Sequence, residues 1–162
     1  MIGKKMQDAL NEQINAELYS SYLYQSMAAD FLAKNLKGFA HWMEIQAKEE
    51  QGHAKKMFDF LVDRSGRVAL KVIAAPPVEW KSPLAVFEDS YAHEQKVTGL
   101  IGKLVELARA EGDHAAEVFL AWFVTEQVEE EANASEIVEK LKLVKDSAQG
   151  LFMMDSLLAQ RE

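Results

Sequence analysis

Cysteine is absent from this sequence of 162 residues, and proline occurs only three times. The lack of cysteine excludes disulfides, thiol catalysis, zinc sites built on cysteine and iron–sulfur clusters. Any site chemistry must therefore use oxygen and nitrogen ligands. Long hydrophobic runs are also lacking, because the opening segment MIGKKMQDALNEQ is too polar for a signal peptide and no stretch is long enough to cross a membrane. We therefore expect a cytoplasmic protein.

Basic residues are fewer than acidic ones: the sequence has 18 Lys and Arg but 26 Asp and Glu, and the formal net charge is −8. This balance disfavours binding to nucleic acid or to an anionic membrane, and it favours cations as partners. Apolar residues make up 49% of the chain, which is enough for a hydrophobic core. We expect residues 1–162 to form a single domain.

The prolines at 76, 77 and 83 separate two long proline-free spans, a pattern typical of long helices on either side of one connector. Ser82-Pro83 and Asp113 have the chemistry of helix starts. The sequence predicts four long helices and a short fifth one, over 5–34, 37–65, 83–111, 114–145 and 147–159. The long segment between the second and third helices, which includes VALKVI, predicts an all-α four-helix bundle with one long crossover.

Each of the four long helices has a stripe of residues, spaced by three and four positions, that should face the core. The stripes are apolar except in the middle of each helix. The interrupting residues are Glu17 in the first helix, Glu50 and His53 in the second, Glu94 in the third, and Gln127 and Glu130 in the fourth. Glu17 and His53 each lie 18 residues from the turn at position 35, and Glu94 and Glu130 each lie 18 residues from position 112. These residues are therefore expected at one level of the bundle.

Four glutamates that converge in a core need protons or cations, because an unpartnered buried carboxylate costs several kcal/mol. Oxygen-rich ligands with one imidazole suit iron, manganese or similar ions, and carboxylates can bridge two ions about 3.5–4 Å apart. The pattern predicts a dimetal site. The alternative is a set of solvated residues at a bundle end, which their position in the middle of the helices disfavours.

Four segments carry a highly specific set of motifs: NEQINAELYSSYLYQSMA, EEQGHAKKMFDFL, YAHEQKVT and FLAWFVTEQVEEE. Through them the chain resembles the prokaryotic non-haem ferritins over essentially its full length. Glu on two helices with Glu-x-x-His on others is already the known ligand pattern of ferritin-like bundles. The resemblance implies iron storage with ferroxidase activity, using O2 or H2O2. It implies that Glu17, Glu50 and His53 bind a first iron, and that Glu50, Glu94 and Glu130 bind a second, with Glu50 as the bridge.

The resemblance assigns further residues to the site. Gln127 would form a hydrogen bond beside the iron pair, and Tyr24 would be the redox-active tyrosine of the family. A third iron site would use Glu49, Glu126, Glu129 and Glu130. Ferritins of this kind assemble as homo-oligomeric cages of twenty-four chains, in which the fifth helix, SAQGLFMMDSLLA, would line a symmetry axis.

The sequence differs from the haem-containing relatives of this family at positions that matter for haem. Haem-containing bacterioferritins carry a second Glu-x-x-His on the fourth helix and a methionine after the bridging glutamate, whereas this chain has Gln127-x-x-Glu130 and Gln51 at those places. We therefore expect no haem. The alternative function is a diiron or dimanganese oxidase, or a peroxide-scavenging enzyme, that stores no product. A purely structural bundle ranks third, because it would have no use for the repeated polar interruption.

Overall fold

The computed structural model describes residues 1–145 and 147–162, and within these residues it contains helices and no strands. The helices are α1 Lys4–Ala33, α2 Lys37–Asp63, α3 Pro83–Ala110, α4 His114–Val144 and α5 Ala148–Leu158. Every predicted helix is present, with each boundary within two residues of the predicted one. VALKVI lies in the crossover between α2 and α3 and has no regular secondary structure. The predicted all-α fold is confirmed.

The bundle consists of two helix pairs, α1 with α2 and α3 with α4, and α5 packs across the start of α2 and the end of α4. Two separate hydrophobic clusters fill the interior. One lies around Phe31, Phe39 and Phe87, and the other lies around Leu10 and Met57. The polar residues that interrupt the four stripes lie between these two clusters, so the fold buries a polar layer between two apolar cores.

None of the helices in the described residues combines the length and the apolar composition needed to cross a membrane.

The starts of α3 and α4 follow local rules that the sequence already shows. The side chain of Ser82 accepts a hydrogen bond from the backbone N–H of Ala85, and Pro83 occupies the first helical turn, where no N–H partner is needed. Asp113 accepts from the N–H of Ala116 at 3.1 Å and also accepts two hydrogen bonds from Arg64, at 3.0 and 3.2 Å. Asp113 therefore both begins α4 and ties its start to the end of α2.

Replacing Asp113 by alanine should lower the free energy of unfolding by about 1–2 kcal/mol, because the helix loses its capping oxygen and Arg64 loses its partner. Asp113→Asn keeps a capping oxygen and should cost less. Urea denaturation of the two variants beside wild type measures both changes. Equal losses in the two variants would show that the ion pair with Arg64, and not the cap, carries the effect.

The N-terminal end of α2 is the docking point for α5. The Asp155 side chain accepts hydrogen bonds from the backbone N–H groups of Gly38, at 2.8 Å, and Phe39, at 3.1 Å. A Cβ atom at position 38 would lie 1.7 Å from the carbonyl oxygen of Asp155, so only glycine permits this approach. Met154 and Leu158 of α5 are buried, and Arg161, which follows α5, donates hydrogen bonds to Trp42 and Gln46 of α2.

Candidate metal centre

The predicted polar layer is assembled from all four long helices. Its members are Glu17 on α1, Glu50 and His53 on α2, Glu94 on α3, and Gln127 and Glu130 on α4, and Tyr24 lies on α1 two turns after Glu17. Each of these residues is at most 6% exposed. The spacing that predicted one common level therefore corresponds to one buried layer of acids, amide and imidazole.

Glu17, Glu50 and His53 form a first cluster, in which one potential ligand atom of each residue lies within 4.8 Å of the others. Glu50 Oε2 is 3.2 Å from His53 Nδ1, and Glu17 Oε1 accepts a hydrogen bond from Gln13 Nε2 at 2.8 Å. The other carboxylate oxygen of Glu17, Oε2, is buried and has no hydrogen-bond partner within residues 1–145 and 147–162 when Glu17 is ionised, whereas a protonated Glu17 can share its proton with Glu50. Because an unsatisfied buried acceptor destabilises the fold, this oxygen is suited to a cation.

His53, Glu126 and Glu130 form a second cluster within the same 4.8 Å limit. His53 Nε2 is 3.9 Å from Glu126 Oε1, and Glu130 Oε2 accepts a hydrogen bond from Gln46 Nε2 at 2.7 Å. His53 is the residue common to both clusters, whereas the resemblance implies Glu50 as the shared ligand. The clusters nevertheless adjoin, as two neighbouring cation positions require.

Glu94 lies outside both clusters and is held by the two residues that the resemblance places beside the centre. The Tyr24 hydroxyl donates to Glu94 Oε1, and Gln127 Nε2 donates to Glu94 Oε2 at 3.2 Å. The Tyr24 hydroxyl also lies 3.2 Å from the Ser90 hydroxyl, and Gln127 Nε2 also donates to Thr98 Oγ1 at 3.2 Å. Two donors, one on each oxygen, thus fix the orientation of this carboxylate.

The residues expected at a third site are only partly brought together. Glu126 and Glu130 share the second cluster. Glu49 instead accepts a hydrogen bond from Arg161 Nη2 at 2.5 Å, and Glu129 is exposed and belongs to neither cluster of the described chain.

Burial dominates the electrostatics of the layer. It raises the pKa of both Glu17 and Glu50 well above the usual carboxyl range, and the charges of neighbouring glutamates raise these pKa values further. Burial and the charge of Glu94 raise the pKa of Glu130 to about 7. Burial also raises the pKa of Glu94, although the Tyr24 and Gln127 hydrogen bonds oppose this shift. The metal-free layer therefore retains protons near neutral pH, and a cation can displace them.

The metal-free protein should lose stability as the pH rises from about 5 to about 8. Carboxyl groups with raised folded-state pKa values contribute stability that is complete below the unfolded value near 4.5 and is lost as the pH passes the folded value, about 7 for Glu130. Thermal unfolding of chelator-treated protein, with and without Co(II), measures this change. Added metal should stabilise the protein more at the higher pH.

Glu130→Gln is the control for this prediction, because it removes one titrating group and should flatten the pH dependence. Metal-free wild-type protein that becomes steadily more stable over the same pH interval would contradict the prediction.

Three contacts of the layer were not predicted. Gln13 and Gln46 each lie one helical turn before the glutamate they bind, Glu17 and Glu50, so the four-residue spacing was a usable signal. The Trp122 ring lies 5.6 Å from the His53 ring, centroid to centroid, and this contact between α4 and α2 has no local signal in the sequence.

Comparison with known proteins identifies the family of the chain. The Ferritin-like domain family matches residues 7–144. A bacterial non-heme ferritin of Bacteroides fragilis (strain 638R) is 48% identical over 161 residues, which cover 99% of this chain and 100% of that protein. One from Staphylococcus saprophyticus is 40% identical, over 99% of this chain and 96% of the relative.

Solved structures support the same assignment. The open pore ferritin of the hyperthermophilic archaeon Archaeoglobus fulgidus superposes with a TM-score of 0.99 and 53% sequence identity, over 100% of both chains. The fold and the overall sequence thus match known ferritins along the whole chain. The chain belongs to the ferritin family, as a prokaryotic non-haem ferritin.

Proposed function

We propose that this protein is an iron-storage protein that oxidises Fe(II) to Fe(III) at a dinuclear centre within each chain. The observation that carries the proposal is the buried layer of glutamates around His53, in which Glu17 Oε2 lacks a partner within the described residues. A set of carboxylates with one imidazole suits iron, and the related proteins are named non-haem ferritins.

Glu17, Glu50 and His53 would bind one Fe(II), and Glu50, Glu94 and Glu130 would bind the second, with Glu50 between them. Glu94 can take part without losing its present contacts, because each carboxylate oxygen can accept more than the one hydrogen bond from Tyr24 or Gln127. The glutamates would release their protons when Fe(II) binds, since burial keeps them partly protonated without it.

In the reaction, two Fe(II) ions give one electron each to O2, which takes up two protons and leaves as H2O2; H2O2 is the alternative oxidant. Carboxylates favour this direction because Fe(III) is the harder ion. Tyr24 would give no electron to this step. It would be an electron donor only if H2O2 is reduced further to two water molecules, with one electron from another Fe(II), one electron and the phenol proton from Tyr24, and one proton from solution. Burial and the charge of Glu94 raise the pKa of its phenol well above the usual value, so it remains a neutral hydrogen-bond donor.

Storage would require a homo-oligomeric cage that holds the ferric product. The outer face of α5 is consistent with such an assembly, because Phe152 is 73% exposed and Met153 is 64% exposed. Neighbouring chains would cover these side chains, as the predicted position of α5 at a symmetry axis requires.

The test is to add Fe(II) to the protein without oxygen, admit air, and follow ferric absorbance, oxygen uptake and particle size. We expect oxidation faster than in buffer, and iron that elutes with a large particle. Oxidation at the buffer rate would exclude the ferroxidase function. A dimer-sized particle with a ferric precipitate would exclude storage and leave an oxidase.

Glu129→Gln tests the proposed third iron site separately. Because Glu129 is exposed and outside both clusters, its replacement should leave the initial rate of oxidation unchanged. Because Glu129 would bind the third iron, its replacement should alter the ratio of iron oxidised to oxygen consumed. Oxygen uptake at increasing iron loads measures this ratio. An unchanged ratio would mean that Glu129 is only a solvated charge.

A further inference from the structure

Arg161, which follows α5, reaches the edge of the metal centre. Its Nη1 donates a hydrogen bond to Gln46 Oε1 at 2.9 Å, and its Nη2 donates to Glu49 Oε2 at 2.5 Å. Gln46 is fully buried, and its own amide contacts the carboxylates of the layer. A residue 115 positions away in the sequence therefore lies one side chain from the proposed iron ligands.

The arginine is held from several directions, so its position is well defined. The guanidinium lies 4.3 Å from the centroid of the Trp42 ring and also donates to the Trp42 carbonyl oxygen at 3.3 Å. The backbone carbonyl of Arg161 lies 2.8 Å from His41 Nε2. The side chain is only 18% exposed. Such a stacked, partly buried guanidinium with forked hydrogen bonds has a geometry that lysine cannot reproduce.

Arg161 determines which way the Gln46 amide points. A guanidinium can only donate hydrogen bonds, so the amide oxygen of Gln46 must face Arg161. The amide nitrogen must then face the acids, and it donates to Glu130 Oε2 at 2.7 Å and toward Glu50 Oε1 at 3.4 Å. Without Arg161, the amide could reverse and present its oxygen to these carboxylates.

We propose that Arg161 is a positioning residue for metal binding, which acts through Gln46 on the carboxylates of Glu130 and Glu50. Since Arg161 is carried into place by α5, the metal affinity of the centre depends on the docking of α5. The inference rests on the proposed ligand role of Glu50 and Glu130, and it is independent of whether iron is stored.

The experiment is a double-mutant cycle on the full chain with Arg161→Ala, Gln46→Ala and both together. Co(II) binding, followed by calorimetry and visible absorbance, reports metal affinity without oxidation. Each single variant should bind Co(II) about 10-fold more weakly, the lower end of the loss found for outer partners of metal ligands. Because both residues act as one unit, the double variant should be no weaker than either single variant.

Two further variants separate positioning from folding. Arg161→Lys keeps the positive charge but cannot donate to Gln46 and Glu49 at the same time from a planar guanidinium. It should therefore bind Co(II) more tightly than Arg161→Ala but more weakly than wild type. Gln160→Ala removes the exposed neighbour and should bind Co(II) as wild type does. Wild-type affinity in Arg161→Ala, or losses that multiply in the double variant, would overturn the proposal. A lower melting temperature with unchanged Co(II) affinity would also overturn it, because Arg161 would then only anchor its segment.

The failure of this inference is distinguishable from the failure of the proposed function. If wild type and Glu50→Ala bind Co(II) equally, the assigned ligands are wrong and the inference falls with them. If Glu50→Ala loses binding and Arg161→Ala does not, the centre stands and only the role of Arg161 is refuted.

Discussion

Replacing both Glu50 and His53 by alanine is expected to reduce the initial rate of Fe(II) oxidation by at least about 100-fold, which exceeds the usual effect of losing an outer partner of a ligand. The variant removes two of the three members of the first cluster and the only imidazole of the layer. Glu17, the remaining member of the first cluster, cannot bind the first Fe(II) ion by itself, so no pair of Fe(II) ions can form. Stopped-flow absorbance of the ferric product, with protein in excess of iron, measures the rate.

The loss should not result from unfolding. Burial and the charge of Glu94 raise the pKa of Glu50, so its carboxyl is a destabilising group in the metal-free protein near neutral pH. Thermal unfolding without metal should therefore show a folded variant whose response to added Co(II) is lost. Glu44→Ala plus Lys48→Ala is the matched control, since both residues are exposed on the same helix. An oxidation rate equal to wild type in Glu50→Ala plus His53→Ala would refute the centre.

Gly38→Ala should be strongly destabilising, unlike the same substitution at Gly52, the other glycine of α2. The new Cβ would lie 1.7 Å from the Asp155 carbonyl oxygen, a backbone atom that cannot move without shifting α5. We expect a loss of about 3 kcal/mol, from overpacking together with weakening of the two hydrogen bonds to Asp155. Thermal unfolding and proteolysis of the segment after residue 147 measure the loss and the release of α5.

Gly52→Ala provides a control of opposite sign in the same helix. A Cβ at position 52 meets nothing within 4 Å, so the substitution should stabilise the protein by up to about 1 kcal/mol through helix propensity alone. If Gly38→Ala had the same stability as wild type, α5 would not be docked at Gly38 as the structure shows. The size of the proposed assembly should also fall in Gly38→Ala, because α5 would no longer be held in place.

Helix positions were predictable because their causes are local. Proline-free spans, an apolar stripe and the capping oxygens of Ser82 and Asp113 all act within a few residues, and each helix boundary agrees within two positions. The level of the buried layer was predictable for a related reason. In antiparallel helices joined by short turns, equal distances from a turn place Glu17 and His53 at the same height.

The contacts within the layer were less predictable. Spacing places Glu94 at the right level but does not show that Tyr24 and Gln127 hold its two oxygens. These contacts depend on side-chain rotamers in a packed core, which neighbours on several helices select together.

The sequence by itself determined the five helices and the polar interruption of each long stripe, because periodicity along one helix decides which residues share a face. Only the tertiary structure decided that Arg161 contacts Gln46 beside the buried layer, and that Gly38 lies against the backbone of α5. Segments more than one hundred residues apart meet there, and their contacts depend on how whole helices pack. No local sequence pattern predicts these contacts, because the surfaces that form them exist only after the bundle has folded.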